Sequence, residues 1–229
     1  MTLQLNELSD EIDSASAPVG LVTVPFRSGL YRNYLKRLFD ISAVVISGVV
    51  VVPLIVLMAL IVSFDGSNPF YWNDRVGRGG RTFRMLKLRS MVPNADALLE
   101  EHLLRNAEAR LEWNSTQKLK SDPRITRFGR LLRKTSLDEL PQLWNVLIGD
   151  MSLVGPRPMM PSQRPLYHGL SYYRLRPGIT GIWQVSDRNE SAFSKRAEYD
   201  TEYDETLSFR NDMRLLWATV SVVLRGTGY

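Results

Sequence analysis

No cysteine occurs among the 229 residues. Its absence removes disulfides, thiol nucleophiles, thiolate zinc sites and iron–sulfur clusters together. Histidine is almost as scarce. His102 and His168 are the two present, neither sits in a helical i, i+4 pair with an acid between, and a two-histidine metal site would need both. The composition is not that of collagen, a coiled coil or a disordered chain. What remains for chemistry is carboxylates and basic groups, 24 Asp+Glu against 29 Lys+Arg, for a net charge of +5.

The apolar residues are gathered unevenly. From Ile41 to Phe64 there are 24 residues without a charge, 19 of them apolar, bounded by Asp40 and Asp65. As a helix this run measures ~36 Å, enough to cross a hydrocarbon core of ~30 Å. A buried helix of a soluble domain rarely runs so long without a polar stripe. A cleavable signal peptide fits poorly, because the run begins some forty residues into the chain and no small-residue cleavage site follows. Arg27, Arg32, Lys36 and Arg37 precede it, and Arg75, Arg78, Arg81, Arg84, Lys87 and Arg89 follow it. Cations beside a membrane segment favour the cytoplasmic side, so both flanks ask for the same side. Pro53, near the middle, deletes a backbone hydrogen bond and marks where a bend is cheapest. A helix that enters, kinks and returns satisfies both signals, and a straight span with a mild proline kink is the alternative.

Three regions follow: residues 1–25, a mobile acidic tail with Glu7, Asp10, Glu11 and Asp13; residues 26–65, an interfacial helix carrying Tyr31, Tyr34, Leu35 and Leu38 and then the membrane helix; and residues 66–229, the catalytic body. The body is long enough to bury a core. Asp74–Gly80 reads as a turn and Thr82–Met91 as a short strand. Asn94 is placed to cap a helix whose Leu99, Leu103, Leu104, Ala107 and Leu111 form one stripe. Pro123–Lys134 reads as a basic amphipathic helix, with Ile125, Phe128, Leu131 and Leu132 opposite Arg127, Arg130 and Lys134. That basic face suits either plain solvation or anionic lipid. The fold class is α-rich α+β and membrane-associated: a re-entrant membrane helix, interfacial amphipathic helices and a small strand component.

The stretch from Thr135 to Gly149 is the most informative. Ser136 and Glu139 have the spacing of a capping box, which predicts a helix with Leu140, Leu143, Trp144 and Leu147 facing a core and Gly149 as its stop. Asp138 then falls in the first turn, where free amides stabilise an anion and attract phosphate. Such a carboxylate suits a nucleophile or a Mg²⁺ ligand, and plain capping is the alternative. Val154-Gly-Pro-Arg-Pro158 displays Arg157 from a stiff loop, and Arg176-Pro-Gly-Ile-Thr-Gly181 is a second rigid basic turn. Arg133, Arg157 and Arg176 with Lys87 and Arg89 form a set suited to a diphosphate, although spacing alone does not bring them together.

These stretches resemble the bacterial sugar transferase family, the monotopic phosphoglycosyl transferases that start exopolysaccharide and glycoconjugate assembly. The matching segments are Lys36-Arg-Leu-Phe-Asp40 with the apolar run, Lys87-Leu-Arg-Ser-Met91, Asp122-Pro-Arg-Ile-Thr126, Ser136 to Asn145, Gly149 to Pro158, Arg176 to Gly181 and Tyr199-Asp200. The resemblance implies transfer of a sugar-1-phosphate, a hexose such as galactose or glucose, from a UDP-sugar to polyprenol (undecaprenyl) phosphate, releasing UMP. It implies Asp138 as nucleophile, Glu139 and Asp138 as Mg²⁺ ligands, and Lys87, Arg89, Arg133, Arg157, Arg176 and Asp200 as the substrate- and phosphate-binding set. Pro53 is the implied membrane break, in the bacterial inner membrane with the body facing the cytoplasm. Partners are then the UDP-sugar, the polyprenol phosphate and inner-membrane lipid. No recognisable nucleic-acid-binding motif is present, and a homodimer is compatible with a sequence that leaves oligomeric state open. Two positions depart from the family: Val52-Pro53 stands where many members have Ser-Pro, and Asp187-Arg188 where many have Gly-Arg. The long multi-span amino-terminal extension of larger relatives is absent, so the chain is expected to be the minimal catalytic form. A noncatalytic membrane-anchored scaffold of a polysaccharide assembly complex is the alternative, with no use for an Asp-Glu pair beside rigid Arg turns.

Overall fold

The structure, a computed structural model, describes residues 28–116, 119, 121–186 and 193–224. The expected acidic tail over residues 1–25 and the Asp187-Arg188 pair lie outside the described residues.

The apolar run forms one helix, α1 (Lys36–Val62), begun by a π-helical turn at Tyr31–Leu35 and continuous through Pro53. Its exposure is the reverse of a soluble helix. Ile46 and Val49 are 75 % and 79 % exposed, with Tyr34, Leu38, Val50 and Leu60 also outside, while the charges at its start turn inward. Arg32 reaches Asp204, and Lys36 Nζ lies 2.7 Å from Asp212. Arg37 donates to the Val146 and Leu147 carbonyls, and Asp40 accepts from Ser152 Oγ at 2.7 Å and from the Leu153 amide at 3.1 Å. At the other end Arg89 donates to the Val62 carbonyl and pairs with Asp65 at 2.6 Å. Val44 packs with Phe83, Met85 and Val146, and Met58 and Ala59 pack with Leu88 and Leu132. Both ends of α1 are therefore fastened to one polar body, and its middle is left bare.

The body opens with a hairpin. Strand β1 (Phe70–Val76) pairs antiparallel with β2 (Thr82–Leu88) from Phe70↔Leu88 to Val76↔Thr82. The expected strand is present, but Asp74 to Val76, read as turn, continue a strand of their own; the reversal is confined to the glycine-rich residues that follow. The predicted single leucine stripe is broken at Asn106 into α2 (Ala95–Arg105) and α3 (Ala107–Thr116), because the Asn106 carboxamide accepts from the Ala109 amide at 3.0 Å and starts the second helix. Leu103 is buried, whereas Leu104 and Leu111 are exposed. Asn94 stands before α2 without making a side-chain cap. Helix α4 (Arg127–Thr135) is capped by Thr126 Oγ1, which accepts from the Gly129 amide at 2.8 Å. Phe128 and Leu132 face the core, while Arg127, Arg130, Lys134 and Leu131 face outward.

After a short turn at Leu137–Glu139, α5 (Gln142–Ile148) stops at Gly149, which adopts the left-handed conformation at φ 99°, as anticipated. Trp144, expected inside, is 51 % exposed; Leu143 and Leu147 carry the packing. Strand β3 (Ser152–Val154) pairs parallel with β4 (Gly178–Thr180), and helices α6 (Ser171–Arg174), α7 (Ile182–Val185), α8 (Arg196–Thr206) and α9 (Phe209–Leu224) complete the body. Among the described residues the architecture is helix-rich with two small two-stranded sheets.

The β3–β4 contact depends on missing side chains. A Cβ on Gly178 would lie 2.1 Å from the Gly155 nitrogen and 2.5 Å from the Thr180 carbonyl oxygen, both backbone atoms with nowhere to move. Gly178→Ala should therefore destabilise the fold by about 2 kcal/mol or more. Gly48, on the bare stretch of α1, meets nothing within 4 Å, and Gly48→Ala should be neutral or add about 0.5–1 kcal/mol. Thermal unfolding of the two variants in one detergent checks the contrast.

Candidate active site

The acid pair is positioned by a helix that stops too early for its neighbour. Helix α4 ends at Ser136, which takes the left-handed conformation at φ 57°, and the chain turns at once through Leu137–Glu139. A non-glycine residue held there costs about 1–2 kcal/mol, a local strain that the packing on either side must hold. The predicted capping box does not form: Ser136 makes no side-chain cap, and α5 begins only after Pro141. Pro141 explains the shift, since it lacks the N–H that a helix interior needs and is tolerated only at a helix start. Glu139, released from capping, turns toward the hairpin.

There it meets Lys87, whose ammonium lies 2.7 Å from Glu139 Oε1 and 3.9 Å from Asp138 Oδ2. Asp138 is 8 % exposed. Burial pushes its carboxyl up to about 6; Lys87 pulls it down, Glu139 pushes it up and Arg133 pulls it down. Two carboxylates held around a cation form an oxygen-donor pair of the kind Mg²⁺ takes from proteins, the remainder of its shell coming from water and substrate phosphate. Among the described residues there is no group of three or more candidate metal ligands, so the pair fits a metal shared with a phosphate and not a cage of protein ligands.

The expected cations do not converge on one point. Arg133 is near, influencing Asp138 and anchored by its Nε to Ser90 Oγ at 2.8 Å. Arg157 lines the same cavity as Glu139, with its guanidinium 5.4 Å above the Trp183 ring. Arg89 instead clasps the end of α1 through Asp65, and Arg176 donates to the Gly149 carbonyl at 2.9 Å, at the opposite end of α5 from the acid pair. Asp200 is buried, accepting from Tyr167 Oη at 2.9 Å. Burial pushes its carboxyl up to about 7 against the pull of Tyr167 and Arg196. It touches no member of the acid pair. Arg196 links the two regions, stacking on Trp183 at 5.2 Å and donating to the Arg157 carbonyl at 2.8 Å.

Two contributors escaped the sequence reading. Arg75 on β1 has its Nε buried without a hydrogen-bond partner; its charge is disfavoured by burial and by Arg157 and favoured by Tyr71 and Glu139. Strand alternation, which sets Tyr71, Asn73 and Arg75 on the face shared with Lys87, is the signal that could have found it. Asn145, fully buried, accepts from the Leu86 amide at 3.0 Å and donates to the Arg84 carbonyl at 2.8 Å, clamping α5 to the strand that carries Lys87.

The profile of the bacterial sugar transferase family matches residues 31–226, and the chain belongs to that family. It is 48% identical over 198 residues to the UDP-galactose-lipid carrier transferase of Erwinia amylovora and 46% identical over 198 residues to the undecaprenyl-phosphate galactose phosphotransferase of Salmonella typhimurium. Each match covers 86% of this chain and 42% of the relative, so the chain spans less than half the length of those proteins. The exopolysaccharide production protein ExoY of Rhizobium meliloti is 40% identical over 221 residues, 94% of this chain and 96% of its own length.

Because Lys87 is the largest influence opposing burial at Asp138, Lys87→Met should raise the Asp138 titration midpoint further above about 6. Carboxyl-carbon NMR of aspartate-labelled protein, with the Asp138→Asn variant to assign the resonance, measures it. An unchanged midpoint would separate the ammonium from the acid.

Proposed function

We propose that the chain transfers a hexose-1-phosphate from a UDP-sugar to polyprenol phosphate through a covalent intermediate on Asp138. The observation that carries this reading is a buried carboxyl, raised to about 6 yet ionised for the most part at neutral pH, directly beside a Glu139–Lys87 pair. A carboxylate removed from water but still charged is a poised nucleophile. One Asp138 oxygen attacks the sugar-bearing phosphorus, the phosphoanhydride bond to the uridine side breaks, and UMP leaves with its electron pair. An oxygen of the polyprenol phosphate then attacks the same phosphorus, forming the polyprenol diphosphate sugar and returning Asp138 as carboxylate. Lys87 holds Glu139 in place and offsets the charge gathered on the phosphates, with Arg133 acting on Asp138 and Arg157 lining the cavity beside Glu139. Mg²⁺, held by Glu139 and Asp138, would supply Lewis-acid neutralisation of the diphosphate.

The bare middle of α1 supports a seat in the bacterial inner membrane, since an apolar surface of this extent calls for lipid or protein. Its two ends bind the same body, through Asp40 at one and Arg89 with Asp65 at the other. That arrangement favours re-entry from the cytoplasmic face over a span, with Pro53 at the turning region. A lipid acceptor then reaches the acid pair from the membrane side.

Incubation with Mg²⁺ and the accepted UDP-sugar, without polyprenol phosphate, should release UMP stoichiometric with enzyme and leave a sugar phosphate on Asp138 that hydroxylamine removes. Asp138→Asn should abolish both while preserving thermal unfolding. If UMP appears only with the lipid acceptor and no adduct forms, Asp138 serves a ternary-complex mechanism. No UMP from any UDP-sugar would leave the scaffold reading.

For topology, Gly20→Cys and Glu100→Cys in this cysteine-free chain should both be shielded from a membrane-impermeant thiol reagent in intact cells. Labelling of the first alone would establish a span.

A further inference from the structure

Helix α7 is a single turn that follows Gly181, and Gly181 lies against the backbone at Gly155, where a Cβ would sit 2.2 Å from the carbonyl oxygen. That close approach fixes Gln184 in the protein interior. Gln184 is 4 % exposed, and neither its Nε2 nor its Oε1 has a hydrogen-bond partner. It lines a cavity of about 250 Å³ together with Glu139 and Arg157, and the walls include Leu140, Ile179, Val185 and Leu216. The threonines of the same wall are already satisfied. Thr180 and Thr219 pair hydroxyl to hydroxyl at 2.6 Å, and Thr135 donates to the Leu131 carbonyl at 2.8 Å. A buried amide left open on both atoms demands a ligand or a water.

The cavity describes the ligand. Its walls are largely apolar, it carries one donor and one acceptor side by side at Gln184, and its lining also holds Glu139 and Arg157, groups suited to meet a metal-bound phosphate. A flat ring with apolar faces, a hydrogen-bonding edge and an attached phosphate answers to all three features, and that is a nucleotide. An isoprenoid chain would satisfy the leucines and leave the amide open. Resting on the UDP-sugar reading above, we propose that Gln184 is the residue that reads the uracil of the donor: Oε1 accepts from N3–H while Nε2 donates to the adjacent carbonyl. The same bidentate logic lets carboxamides read base edges in nucleic acids. Gln184 is thus a specificity residue, remote from the reacting phosphorus, and the uridine lies along α7 with its phosphates toward Arg157.

The test compares UMP with N3-methyl-UMP, which lacks the N3–H donor, by calorimetry on the full chain in detergent. Wild type should bind UMP tighter by about tenfold or more, because a site built for a hydrogen bond rejects the analogue that lacks it. Gln184→Leu should bind both weakly and alike. In turnover it should raise KM for the UDP-sugar, leave KM for polyprenol phosphate unchanged and change kcat little. Equal binding of both nucleotides by wild type, a measurement that needs no variant, would overturn the assignment, as would undiminished discrimination in Gln184→Leu. A KM effect confined to polyprenol phosphate would overturn it in favour of an isoprenoid in the cavity. If wild type turns over a UDP-sugar but does not discriminate, the role of Gln184 alone falls. If wild type neither binds UMP nor releases it from a UDP-sugar, the donor reading falls with it.

Discussion

One ammonium group held against two neighbouring carboxylates organises this molecule. Lys87 reaches Glu139 at 2.7 Å and Asp138 at 3.9 Å from a strand some fifty residues earlier in the chain. Without it, Asp138 would be a buried carboxyl beside another carboxylate, and burial and repulsion would raise its carboxyl further, opposed among side chains by Arg133. With it, the group stays ionised at neutral pH in a place water scarcely reaches. Much of the surrounding structure serves that arrangement. Asn145 clamps the strand, the left-handed Ser136 turns the acids toward it, and Pro141 delays the next helix so that Glu139 is free to pair.

The same body holds the apolar helix by polar means. Arg32 and Lys36, at the start of the helix, are paired with Asp204 and Asp212, and Asp40 accepts a hydrogen bond from Ser152, while Arg89 closes the other end. Buried charge left unpaired is costly, so these contacts specify one seating of the helix more than they strengthen it. The acid pair and the apolar helix are in this way fastened to the same body.

Much of this was legible in the residues. The long uncharged run, the β2 strand, the basic helix and the glycine stop at Gly149 followed from periodicity and local chemistry, and Asp138-Glu139 stood out by its surroundings. What misled were competitions that local rules do not weigh. Ser136 and Glu139 have capping spacing, but a lysine from a distant strand and a proline two residues on take precedence. Asn106 divides a leucine stripe because its side chain can start a second helix. Arg89 and Arg176 carry the charge a phosphate wants, yet each is claimed by a nearer partner, Asp65 and the Gly149 carbonyl. Arg75 is hidden from the sequence because residues 74–76 border the glycines of the turn, although they belong to β1.

The hairpin has a consequence for how such a site is assembled and lost. Lys87 stands opposite Tyr71, and Arg75 opposite Phe83, in a ladder whose side chains alternate between two faces. A slip of a single residue in that pairing would swing the ammonium away from the acids and bring a leucine, Leu86 or Leu88, in its place. The carboxylates would then lose their nearest counter-charge. Strand registration therefore bears directly on how strongly Asp138 is held ionised, and Asn145, gripping the backbone on either side of Met85, is the pawl that keeps the register set.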